Sequence, residues 1–297
     1  MNAGFDYREQ ISLGDAGRTV LDYLARRHRH SSEAVWRERI AAGEVEVQGR
    51  RADATDALLA GQHVVWRRPP WAEPDVPVAF AVLYRDRELL AVAKPRGLPS
   101  NPNGGFLTHT LLHIVRRAFP EATPMHRLGR GTSGLVLFAR TAEARRRVAA
   151  AFREGRIEKV YRALVTGIPD RDAFSVETPI GPVPHPRLGR VYAASERGKR
   201  AVTHVRVIGT QQDVALVEAT IPTGRPHQIR IHLAAAGHPL LGDPLYAARG
   251  GLVPEPALPG DPGYWLHAMR LALSHPATGE RVEIECAPPP PLRTLVR

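Results

Sequence analysis

Residues 67–77 read Arg-Arg-Pro-Pro-Trp-Ala-Glu-Pro-Asp-Val-Pro, with four prolines between positions 69 and 77. Proline fixes its own φ, has no amide proton to donate, and pushes the residue before it out of the helical region. Neither a helix nor a central strand can run through such a stretch. The chain is therefore expected to divide into a short unit over residues 14–68, a linker at 69–77 and a long unit over 78–297.

The two parts carry different patterns. In the short one, Val20, Leu21 and Leu24 recur at helical spacing within Thr19 to Arg27. Ser31 and Ser32 are N-cap candidates for a second helix with Val35, Trp36 and Ile40, and Gly43 suits its left-handed end. Glu44 to Val47 alternates as a half-buried strand does, 48–50 makes a turn, and Gly61 to Trp66 closes as another strand. In the long part, apolar runs at 81–84, 89–93, 134–139 and 161–165 outnumber two helical stretches, Thr108 to Ala118 and Thr141 to Arg153. That balance predicts an α+β domain around a mixed or antiparallel central sheet. Pro288 to Pro291 ends regular structure near the C-terminus.

A chain of 297 residues buries enough surface to need no covalent staple, and its single cysteine, Cys286, can form no intrachain disulfide. No Cys/His spacing suits zinc, and no carboxylate or thiolate joins His109, His113 and His126 into a metal site. The N-terminus lacks a basic segment followed by an apolar one, and no run of about 18 apolar residues exists, so a cytoplasmic protein without membrane association is expected. No apolar interface stripe is evident, and a monomer is expected. Lys and Arg number 41 against 30 Asp and Glu, a formal charge of +11. Coding bias can account for arginine in place of lysine, but not for the excess over acids, and a polyanionic partner is favoured.

Two segments concentrate cations beside glycine. The first is His126-Arg127-Leu128-Gly129-Arg130-Gly131-Thr132-Ser133-Gly134, lying between a helix and an apolar strand. Glycines let backbone approach a ligand closely, and His126, Arg127 and Arg130 offer donors to phosphates or base edges. The second, Thr223 to Leu233, places Arg225, His227, Arg230 and His232 within eight positions, and Gly-Asp-Pro-Leu-Tyr follows at 242–246.

Together with the blocks at 82–98, 158–165, 198–207 and 266–280, in this order, these segments resemble the RluA family of RNA pseudouridine synthases. The resemblance spans residues 78–285. It implies the pseudouridine synthase fold and isomerisation of a uridine in ribosomal or transfer RNA, without cofactor or metal. The target nucleotide is flipped into the pocket, its N1–C1′ bond is cleaved, and the uracil is rejoined through C5. By the same resemblance, Tyr161 packs on the base, Arg225 or Arg230 pairs with the catalytic aspartate, and Arg127, Arg130 and His227 meet the RNA. The short unit resembles an S4 RNA-binding module, whose RNA face would carry Arg37, Arg39, Arg50 and Arg51.

At one position the match breaks. The family's catalytic aspartate follows His-Arg-Leu, and here that place is Gly129. The spacing to Thr132-Ser133-Gly134 is unchanged, so no shift of register restores a carboxylate. Glycine can act neither as nucleophile nor as base. Glu121 is the substitute that the family pattern does not otherwise explain, whereas Asp86 and Asp243 match family acids with their own places. The arginine that would pair with the aspartate is left to find phosphate, another carboxylate or water. Three readings stay open: a divergent active synthase, a non-catalytic RNA-binding protein acting in RNA folding or ribosome assembly, and a changed activity on another nucleoside or a small ligand.

Overall fold

The computed structural model describes residues 1–294, which form two compact units, one over Met1–Glu73 and one from Pro74 onward. The first contains β1 (Phe5–Gln10), α1 (Val20–Arg27), α2 (Glu33–Ala41), β2 (Val45–Val47), β3 (Arg50–Arg51) and β4 (His63–Arg68). Its antiparallel sheet runs β1-β4-β2-β3. Thr19 caps α1 by accepting from the Asp22 amide, and Ser32 caps α2 by accepting from Val35. Gln48 and Gly49 both take positive φ, the demand of a two-residue turn that matches strand twist. Val20, Leu24, Trp36, Ile40, Val45, Leu58 and Val64 fill the core. The unit begins earlier than residue 14, because β1 pairs along the whole of β4. No residue of β1 is fully buried, so it shows no clean apolar alternation.

The second unit contains β5 (Ala81–Arg85), β6 (Leu89–Lys94), α3 (Leu111–Ala118), β7 (Thr123–Pro124), β8 (Ser133–Ala139), α4 (Ala142–Arg153) and β9 (Glu158–Thr166). There follow β10 (Ala173–Val176), β11 (Ile180–His185), β12 (Gly189–Ala194), β13 (Thr203–Gln211), β14 (Val214–Thr220), α5 (Gln228–Ala235), β15 (Leu266–Ser274) and β16 (Arg281–Glu285). The order β10-β13-β14-β9-β15-β8-β6-β5 makes one mixed sheet, with β16 on β15 and β7 on β8. Among the described residues, β8 and β15 run parallel and the sheet's other pairs antiparallel. Helix α3 starts at Leu111 rather than Thr108, because Thr110 accepts from the His113 amide and caps it there.

Both faces of the sheet are covered, which explains why its strands read as continuous apolar runs. Leu90, Val92, Val136 and Phe138 point to one core with Leu111, Val115, Ile229 and Leu233. Leu89, Ala91, Leu135 and Leu137 point to another with Val148, Leu271 and Ile284. Gly134 sits where β8 meets β15, at φ +112, and an added Cβ would fall on the Ala268 backbone. Among the described residues no helix is long and apolar enough to cross a membrane. Gly134→Ala is expected to lower the unfolding free energy by at least ~3 kcal/mol, read from the urea midpoint, because strain and overlap coincide in one backbone.

Candidate active site

The loop from Met125 to Thr132 hangs between β7 and β8 and is anchored along its length. The Met125 amide donates to the Leu137 carbonyl (2.9 Å), and the Leu137 amide donates to His126 Nε2 (3.0 Å). His126 therefore accepts through Nε2; burial, with Lys159 nearby, pulls its pKa down to about 4. Its work is to shape the loop. Ser100 Oγ bonds both the carbonyl and the amide of Leu128. The Arg130 carbonyl takes the Gly97 amide at 2.8 Å and lies 3.4 Å from Lys94 Nζ, itself held by the Pro95 and Leu98 carbonyls. The Lys-Pro-Arg-Gly turn at 94–97 is thus a clamp on this loop.

The second cationic segment leads into α5. His227 precedes the helix in the left-handed region, at φ +55. Its Nδ1 lies 2.7 Å from Tyr246 Oη, whose single proton goes to the Tyr192 carbonyl (2.8 Å). Nδ1 must then donate, leaving Nε2 as the ring's acceptor. Burial, helped by the charge of Arg230, pulls His227 down to about 3. Arg230 is the buried arginine of the segment. Its Nε and Nη2 each reach an Asp243 oxygen at 2.7 Å, and its Nη1 donates to the Pro259 carbonyl at 3.0 Å. The two side chains are 3% and 1% exposed. Arg225 is part-exposed and donates to the Arg200 carbonyl at 3.0 Å.

One aromatic side chain joins the two segments. The Arg230 guanidinium carbon lies 4.2 Å from the ring centre of Tyr264, and Tyr264 Oη lies 3.3 Å from Thr132 Oγ1. A Cβ added at Gly131 would stand 2.9 Å from Tyr264 Cζ, and one at Gly129 would stand 3.1 Å from Oη. Arg130 reaches back over the same stretch, donating to the Gly260 carbonyl (2.9 Å) and pairing with Asp261 (3.3 Å). Across the sheet, Tyr161 lies opposite Ala268, which lies opposite Gly134. Tyr161 shares its core cluster with Leu128 and Tyr264, and burial raises its phenol to about 12.

A family profile described as RNA pseudouridylate synthase matches residues 88–235. An uncharacterized RNA pseudouridine synthase of Synechocystis sp. is 42% identical over 93% of this chain and 96% of its own length. RNA pseudouridine synthase 5 of Arabidopsis thaliana is 36% identical over 98% of this chain and 94% of its own. The chain belongs to the RNA pseudouridylate synthase family. These enzymes are isomerases acting on RNA. The ribosomal large subunit pseudouridine synthase D of Neisseria meningitidis is 34% identical over 91% of this chain and 75% of its own. Among solved structures, human RNA pseudouridylate synthase domain containing 1 superposes with a TM-score of 0.59 at 27% identity, over 74% of this chain and 89% of that one.

Within this synthase fold, the structure shows where each expected residue stands. Arg230 has another carboxylate, Asp243, as its partner. Asp243 also takes the Leu245 and Tyr246 amides, so four donors meet its carboxylate. Glu121 does not replace an aspartate at 129. It bonds Arg140 at 2.8 Å, just beyond the last residue of β8, whereas Gly129 precedes the first. Strand β8 has seven residues, which puts about 20 Å between its ends. Asp86 is at the Glu121 end too, bound by Tyr84, His275 and two backbone amides. Arg127 is exposed. In the first unit Arg37 pairs with Glu33 (2.8 Å), Arg50 is exposed, and Arg51 donates to the Ala41 carbonyl. The Arg39 guanidinium lies against both Trp36 and Trp66, 4.7 and 4.6 Å from the ring centres. Tyr264, Thr132, Lys94 and Asp261 were not expected; the first and last sit in a Pro/Gly-rich stretch with no periodicity to mark them.

Two outcomes follow for stability. Asp243→Ala leaves the Arg230 charge buried and unpaired, and is expected to cost about 3–5 kcal/mol in denaturant unfolding. His126 and His227 stay neutral in the folded chain, while the unfolded chain binds protons near pH 6.5. Their contribution is complete above about pH 6.5 and is lost as pH falls toward about 4 and about 3. Urea midpoints should therefore fall between pH 7 and 5, and less so in His126→Gln, whose amide oxygen can still accept from Leu137.

Proposed function

We propose that the protein isomerises uridine to pseudouridine in structured RNA, and that the first unit is an S4-like module holding that RNA. One observation carries the catalytic reading. The motif loop and the Arg230–Asp243 pair come from distant parts of the chain, yet Tyr264 links them, and Tyr161 shares a core cluster with Leu128 and Tyr264. The formal charge of +11 and the exposed Arg127 and Arg50 suit a phosphate backbone. Two capped helices followed by a tight hairpin support the S4-like reading of the first unit. The Neisseria relative is named for the large ribosomal subunit, so unmodified large-subunit RNA is the first substrate to try.

Gly129 favours the second reading, a non-catalytic RNA-binding protein acting in RNA folding or assembly. Unmodified ribosomal RNA transcribed with 5-³H-uridine separates the two. Tritium release above a protein-free control is expected, since C5 loses its hydrogen when it bonds to C1′. Salt-sensitive RNA binding without release would establish the second reading instead. Arg50→Ala should lower the slope of log affinity against log salt by about one. An unchanged slope would remove Arg50 from the RNA face.

A further inference from the structure

We propose that Tyr264 carries the chemistry for which position 129 has no side chain. The inference rests on the uridine-isomerase reading above. Gly129 is part-exposed and its φ lies outside the left-handed region, so what crowds a Cβ there is not the backbone but the hydroxyl of Tyr264, a residue only 1% exposed. What stands beside the bare position is a phenol, with Oη 3.1 Å from where the Cβ would be. The arrangement is built to bring it there. Gly131 has no room for a Cβ against the ring, Thr132 Oγ1 is 3.3 Å from Oη, and the Arg230 guanidinium covers the ring face at 4.2 Å. Arg230 and Arg130 bond the Pro259 and Gly260 carbonyls and so fix the segment that delivers Tyr264.

Among the described residues, Asp243 and Asp261 already have partners. Asp243 holds Arg230 and two amides, and Asp261 holds Arg130 and the Leu258 amide. Tyrosine is a competent nucleophile at the anomeric carbon of a sugar, and is used so by sialidases. A cation over the ring stabilises negative charge as it forms on the phenol oxygen. The step balances without a co-reactant. The Tyr264 oxygen bonds to C1′ as the C1′–N1 bond breaks, and the phenol proton leaves with the uracil on N1. The uracil turns, C5 bonds to C1′ as the C1′–O bond to Tyr264 breaks, and the released phenolate takes the C5 proton. The product is an isomer of the substrate, and the enzyme is returned unchanged.

Single-turnover tritium release from 5-³H-uridine ribosomal RNA tests this with the wild type, Tyr264→Phe and Gly129→Asp/Tyr264→Phe. Thermal melting and RNA retention are measured beside it. Tyr264→Phe should fold and bind RNA like the wild type and release tritium at least ~10³-fold more slowly. The double variant, with a carboxylate beside the space the hydroxyl left, should exceed Tyr264→Phe. A folded Tyr264→Phe within tenfold of the wild type overturns the inference and leaves the isomerase reading standing. A silent wild type overturns both. Should Tyr264→Phe unfold, 3-fluorotyrosine placed at 264 gives the second measurement. The groups facing this phenol are Arg230, Thr132 and Tyr246, with Asp243 behind Arg230. Fluorination of the attacking phenol should change the single-turnover release rate of the folded protein, and an unchanged rate overturns the proposal.

Discussion

The buried pair of Arg230 and Asp243 holds three separated segments of the second unit together. Side chains exposed by 3% and 1% cannot keep their charges unless nearly every donor and acceptor is met. Asp243 meets two guanidinium nitrogens and two backbone amides. Arg230 adds the Pro259 carbonyl and lies between the rings of Tyr246 and Tyr264, at 4.9 and 4.2 Å. The start of α5, the turn at 242–246 and the stretch around 259–264 are thereby tied to one point.

From that point the rest of the site is determined by volume. A Tyr264 ring under Arg230 leaves no space for a Cβ at Gly131 and little at Gly129. The motif loop can lie over the ring because those two positions are glycine. It is held there from its other side by Lys94, Gly97 and Ser100. The departure at Gly129 is therefore part of a local packing arrangement rather than an isolated gap. The arginine does not await phosphate or water either, since its partner is inside the fold.

Much of the fold was legible because its signals are local. Thr19, Ser32 and Thr141 cap helices where such residues should, and the runs at 89–93 and 134–139 are strands buried on two faces. The linker prolines mark the change from one unit to the other, near Glu73. Ordered motifs were enough to indicate the family. What stayed hidden depends on pairing over long separations. Strand β1 is only half-buried and carries no period that would separate it from a tail. Glu121 is near Gly129 in sequence, but β8 takes them to opposite ends of a strand. Arg39 counts as a surface charge in sequence, yet its guanidinium lies against two indole rings. Tyr264 is 132 residues from Thr132, in a stretch of prolines and glycines where no spacing marks a site.

The most direct test is a pseudouridine map of total RNA from the source cells, with and without this gene, by carbodiimide modification and primer extension. Disappearance of one or a few sites on deletion, and their return with the wild-type gene, is the expected result. It would establish that the chain forms pseudouridine with glycine at position 129. An identical map with and without the gene would contradict uridine isomerisation as its function.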